Sequence, residues 1–155
     1  MVDHKNGQAL VIALVVMALL VAAAWFLIAN SQQQQAPISV HTFEIRPSEF
    51  KSTEGAELHL KVENLVTDTP TNVAVYFETH ENVKIYRGDA ILPKSGGNYS
   101  YAKSLEPKEV SDLTFTIKGA VDVGDTSRNY YIKAYIYVNG EFFTIKDIDF
   151  LVRRG

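Results

Sequence analysis

Residues able to do chemistry are few in this chain, and their spacing is poor for it. The four histidines are His4, His41, His59 and His80, and none is set beside a serine, aspartate or glutamate in a pattern that marks nucleophilic catalysis. Glu78-Thr79-His80-Glu81 offers carboxylate and imidazole at a strand end, but two neighbouring ligands seldom hold a metal, so a solvated strand end is the better reading. Asp122-Val123-Gly124-Asp125 and Asp147-Ile148-Asp149 carry the oxygens calcium takes, yet neither follows the twelve-residue calcium loop, and both read as an acidic turn or face. The chain has no cysteine, which excludes thiolate nucleophiles, thiolate metal sites and a disulfide scaffold. No catalytic residue, metal or cofactor is therefore expected, and an enzyme is not the reading.

Two surface features remain. Asn98-Tyr99-Ser100 is a glycosylation sequon beside Gly96-Gly97, where a sugar on Asn98 would be accessible in an exported protein. Tyr131, Tyr135 and Tyr137 share one row of a strand, with Phe142 across from Tyr137. Aromatics in such number on an outward row are the residue types that anchor protein interfaces. Equally open is a row covered by the loop from Pro93 to Lys103, with Tyr99 and Tyr101 packed on it.

The elements that must position these residues begin with an apolar run. From Ala9 to Ala29 the chain carries no charge, and at helical rise that run reaches roughly 30 Å, the thickness of a bilayer's hydrocarbon core. Signal h-regions are shorter, at about 7–15 residues, and Trp25-Phe26-Leu27-Ile28 stands where small residues would be cut, so an uncleaved transmembrane helix over 9–29 is favoured. Lys5 and the amino terminus against Asp3 give a weak positive bias that places residues 1–8 in the cytoplasm and the C-terminal body outside. Residues 30–37, with four glutamines and a closing proline, read as a polar spacer. The formal net charge of −3 falls on the body, since Asp3 and Lys5 cancel, so nucleic acid and anionic lipid are poor partners.

Residues 38–155 are written in period two. Ala56, Leu58, Leu60 and Val62 alternate with Glu57, His59, Lys61 and Glu63, one row for a core and one for water. Val73, Val75 and Phe77 repeat the pattern, as do Leu113, Phe115 and Ile117. No stretch of similar length shows helical period, so the body is expected to be all β. Asn139-Gly140 between Tyr130 to Val138 and Glu141 to Val152 predicts a type I′ hairpin. Its register would set Tyr137 against Phe142, Ile136 against Phe143, Tyr135 against Thr144 and Ala134 against Ile145. The apolar parity then flips to Ile148, Phe150 and Val152, which predicts a bulge near Lys146-Asp147. A like slip between Ile38, Val40 and Phe43, Ile45 suggests a first strand passing from one sheet to another. Turn signals at Pro47-Ser48-Glu49 and Gly96-Gly97-Asn98 complete the case for a two-sheet antiparallel sandwich.

Two resemblances bear on function. Lys5-Asn6-Gly7-Gln8 followed by an apolar helix resembles the class III, prepilin-like signal of surface filaments, which implies a cut between Gly7 and Gln8; Ile12 and the displaced Lys5 depart from that pattern. The body carries P-x-x-F at Pro47 to Phe50, L-x-V-x-N at Leu60 to Asn64, L-x-P-x-E at Leu105 to Glu109 and F-T-I at Phe115 to Ile117. Together these resemble the CARDB and S-layer-associated immunoglobulin-like modules of archaeal and bacterial surface proteins, and the layout of one helix plus one such domain is similar to archaellum stator proteins. That resemblance implies a structural or adhesive β-sandwich outside the cell, with no active site.

The expectation is an all-β, immunoglobulin-like antiparallel sandwich behind a single N-terminal transmembrane helix. It would serve as an interaction protein of the cell envelope, bound to the membrane and to an envelope or appendage partner or to further copies of itself. The competing expectation is a pilin-like filament subunit, processed after Gly7 and polymerised through residues 9–29. The uncleaved anchor is favoured on charge placement.

Overall fold

Alternation alone builds this domain, because each strand has an apolar row that only a second layer can remove from water. The computed structural model describes residues 15–17, 20–21 and 36–155. The chain divides into two units, Met1–Ala36 and Pro37–Gly155. In the first unit, residues 15–17 and 20–21 are helical and exposed. Among the described residues no helix is long and apolar enough to cross a membrane. The rest of the run over 9–29, with Gly7 and Gln8, lies outside the described residues.

The second unit is all β. Its strands are β1 (Ile38–Arg46), β2 (Glu49–Lys51), β3 (Ala56–Asn64), β4 (Thr71–Thr79), β5 (Val83–Arg87), β6 (Ala90–Ile91), β7 (Lys94–Ser95), β8 (Asn98–Leu105), β9 (Val110–Gly119), β10 (Ser127–Val138) and β11 (Glu141–Arg153). They form a five-stranded sheet in the order β1-β3-β9-β5-β6 and a six-stranded sheet in the order β2-β11-β10-β4-β8-β7. Pairing is antiparallel except for β2 on β11. The two inner faces make one core, in which Phe77 of β4 meets Phe115 of β9 edge to face at 5.1 Å between centroids.

The predicted rows fall where their parity puts them. Leu58, Leu60 and Val62 are fully buried, as are Val75, Phe77 and Ile117, while Glu57 and Lys61 face water. Leu60→Ala should therefore cost about 2–5 kcal/mol by leaving a cavity. His59, on the outward row beside Glu57 and Asp112, should cost about 0.5 kcal/mol or less as alanine. Urea unfolding of both variants checks the pair.

Two register expectations need correction. In the β10–β11 hairpin Tyr137 pairs with Phe142, but Ile136 pairs with Thr144 and Tyr135 with Ile145, so the extra residue is Phe143 and not one near Lys146-Asp147. A bulge beside the turn shifts the strand at once. It brings Ile148, Phe150 and Val152 inward and sets Lys133 opposite Asp147 instead of Lys146, which removes a like-charge pair. In β1 the parity slip is likewise a bulge, at His41 between the Val40–Val62 and Thr42–Lys61 pairs, within one sheet. The passage from sheet to sheet comes later, at Pro47-Ser48. There β2 joins the second sheet and buries Phe50 in a stack on Phe150 at 5.7 Å.

The motif asparagine of L-x-V-x-N closes one end of the sandwich. Asn64 is fully buried. Its amide donates to the carbonyls of Thr69, Leu105 and Glu106 at 3.1–3.3 Å, and its Oδ1 accepts from Val66 N–H at 3.0 Å and Thr71 hydroxyl at 2.9 Å. The second motif, L-x-P-x-E, is thus the partner of the first. Its Glu109 accepts from the Glu106 N–H at 2.8 Å and from Lys103 Nζ at 2.7 Å. The Lys103 bond, then the Glu106 N–H, hold the Glu109 carboxyl below its ordinary pKa.

Candidate interaction face

The outer face of the six-stranded sheet gathers the aromatic row. Because Ile132, Ala134, Ile136 and Val138 point into the core, Tyr131, Lys133, Tyr135 and Tyr137 of β10 must point out. Tyr131 is 39% exposed and Phe142 56%, while Tyr135 and Tyr137 are half-buried by their neighbours. Tyr137 meets the Phe142 ring at 5.7 Å, edge to face. The four aromatics named from sequence therefore stand on one face.

That face is not covered by residues 93–103. Those residues form β7 and β8, which extend the same sheet, and their aromatics turn the other way. Tyr99 is buried, with its hydroxyl donating to Val83 O at 3.2 Å and burial holding the phenol above its usual pKa. Tyr101 packs on Phe115 at 5.2 Å. A strand in the sheet cannot also lie over it, so the covering alternative fails on topology.

The face has two members that the sequence reading did not assign to it. Tyr76 pairs with Tyr135 across β4 and β10, and its ring meets Tyr137 at 5.4 Å with the planes at 84°. Glu78, of the Glu78-Thr79-His80-Glu81 strand end, accepts from the Tyr135 hydroxyl at 2.7 Å and, more weakly, from the Tyr131 hydroxyl at 3.4 Å. The Glu78 bond is the first cause of a Tyr135 pKa above the ordinary phenol value, since a carboxylate favours the protonated phenol. The alternation Asn72, Ala74, Tyr76, Glu78, the outward counterpart of the buried row Val73, Val75, Phe77, carries the signal for both.

Small residues hollow the sheet between these rings. Ala74 and Gly96 leave a trough of about 580 Å³ bordered by Tyr76, Glu78, Asn98, Tyr135 and Tyr137. Asn98 enters it as the first residue of β8, after Gly96 and Gly97 turn the chain with positive φ. Among the described residues its amide has no hydrogen-bond partner, which leaves the sequon nitrogen free.

The other candidates are held in local structure. Asp122 pairs with Arg128 and accepts from Asn82 at 2.9 Å, so it ties a turn to β10. His80 Nδ1 caps the Asn82 N–H at 3.2 Å, and its ring lies 5.5 Å from Tyr130. Asp147 and Asp149 are exposed on β11. Among the described residues no three His, Asp or Glu side chains converge in a way that would hold a metal ion.

No family profile matches the chain, and no curated protein matches it. Solved structures share the fold. A segment of Escherichia coli alpha-2-macroglobulin in its native conformation is 20% identical over 77% of this chain, with a TM-score of 0.51. The chain spans only 7% of that protein's length. A lipoprotein from Bacteroides thetaiotaomicron is 15% identical over 79% of this chain and 84% of its own, with a TM-score of 0.50. At such identities the likeness is one of fold.

Proposed function

We propose that this protein is a membrane-anchored, extracytoplasmic β-sandwich of immunoglobulin-like type that acts as a structural and interaction module of the cell envelope, associated with an S-layer, cell wall or surface appendage. The observation that carries the reading is the charge-free run from Ala9 to Ala29 ahead of a domain with a complete core of its own. A run of that length is read as a single membrane span, and the weak basic bias before it sets the domain outside. The aromatic face supplies a surface for a partner, in keeping with the CARDB-like motifs, and a sandwich of this kind also forms a Bacteroides lipoprotein. The same run of Gly7-Gln8 and apolar helix supports the second reading, a filament subunit.

Protease added to intact cells should degrade the domain while the cytosolic proteins survive. Protection until lysis would refute the reading. Mass spectrometry of the native chain separates anchor from filament: an N-terminus upstream of Gln8 and small oligomers in detergent are expected for the anchor. Gln8 as the first residue, with shearable fibres containing the chain, would establish the filament subunit instead.

A further inference from the structure

We propose that the trough on the outer face of the six-stranded sheet is a receptor for a cationic side chain, lysine or arginine, presented by a partner protein. This deepens the interaction reading and rests on it. The geometry is that of a corner: the Tyr76 and Tyr137 rings stand at 84° to one another, and a cation seated there meets one ring by its face while the Glu78 carboxylate lies along the same floor. Glu78 is the one charged residue lining the trough. Tyr135 fixes it in place through the 2.7 Å hydrogen bond, which orients the carboxylate and leaves its second oxygen with only the long Tyr131 contact.

Charge on the surrounding face has the same sense. The outward rows of β4, β10 and β11 carry Glu78, Asp147 and Asp149 against Lys133 and Arg153, and Arg153, at the end of β11 away from the trough, is paired with Glu49. Lys133 pairs in register with Glu78, yet its Nζ lies over the Tyr131 ring at 5.4 Å and not on the carboxylate. The lysine thereby shows, on this same face, the contact a visiting cation would make with a tyrosine. The trough is open and shallow, which suits a side chain carried in on a protein surface better than a small ligand, which a pocket must bury by about 70–90%. A face with an excess of carboxylates also selects against anionic partners such as nucleic acid or acidic polymer.

The test uses the full chain in non-ionic detergent at 0.15 M salt, with trilysine amide as the probe and its Nε-acetylated form as the uncharged control. Binding is read from the ring-proton resonances of the trough tyrosines. Trilysine should shift Tyr76, Tyr135 and Tyr137, and acetylation should weaken binding about tenfold or more. Tyr137→Ala, which changes no charge, and Glu78→Gln, which changes little volume, should each weaken it about tenfold. Tyr135→Phe keeps the ring but releases the Glu78 carboxylate from its 2.7 Å hydrogen bond, and should weaken binding about threefold, less than loss of the carboxylate itself. The inference is overturned if trilysine leaves these rings unshifted, if the acetylated peptide binds equally well, if Tyr137→Ala has no effect, or if a neutral chito-oligosaccharide binds in trilysine's place. Protease exposure of the domain is unaffected by any of these results, so failure here is distinct from failure of the anchored-module reading.

Discussion

Asn64→Ala is expected to destabilise the sandwich by about 3–5 kcal/mol, a large share of the roughly 5–15 kcal/mol that holds an ordinary domain together. The side chain is fully buried and makes five hydrogen bonds to three separate segments of chain. Alanine would leave the buried Leu105 carbonyl and the part-buried Glu106 carbonyl and Val66 N–H without this partner, and each stranded group costs about 1–3 kcal/mol, not all of it additive. Asn64→Asp should be no milder, because it removes the amide donors and turns a buried carboxylate toward carbonyl oxygens. Urea unfolding measures both. A loss under about 1 kcal/mol for Asn64→Ala would mean that water replaces the network and that the two motifs are not coupled through it.

Phe115→Ala should cost about 3–5 kcal/mol for a different reason. Phe115 stands between the sheets, edge to face with Phe77 of the opposite layer and with Tyr101. Its removal deletes two aromatic pairs and leaves a cavity among rigid strands that cannot close over it. Melting temperature and urea midpoint should fall together, with an unchanged strand spectrum at low temperature. Exposed Phe142→Ala makes a useful contrast: it should be within about 0.5 kcal/mol of wild type, since that ring is more than half exposed.

Much of the fold was legible because a buried strand is a local pattern. Rows such as Leu58-Leu60-Val62 need only period two to declare their face, and Asn139-Gly140 needs only its own dihedral freedom to declare a turn; φ is +51° and +87° there. Local rules are silent on where the extra residue of β11 falls. Either Phe143 or a residue near Lys146 would restore the parity of β11, and the choice falls to the partner strands, which place Lys133 against Asp147. Asn139 carries a second role no local rule shows: its backbone N–H and its side chain bond the main chain of Asn72, pinning the turn to β4.

The sequence by itself determined that the body is all β, which rows of β3, β4 and β9 enter the core, where the hairpin turns and that Tyr131, Tyr135, Tyr137 and Phe142 share a face, since all of these follow from side-chain alternation within one segment or across one two-residue turn; the first half of β11 did not follow, and Ile145, set inward by the unbulged register, faces out. Only the tertiary structure decided that β8 lies within the sheet and not over it, that Tyr76 and Glu78 join the aromatic face, and that Asn64 reaches Leu105 and Glu106. Those are contacts between strands distant in the chain. Their register depends on the total burial of both sheets at once, and no window of local sequence contains that balance.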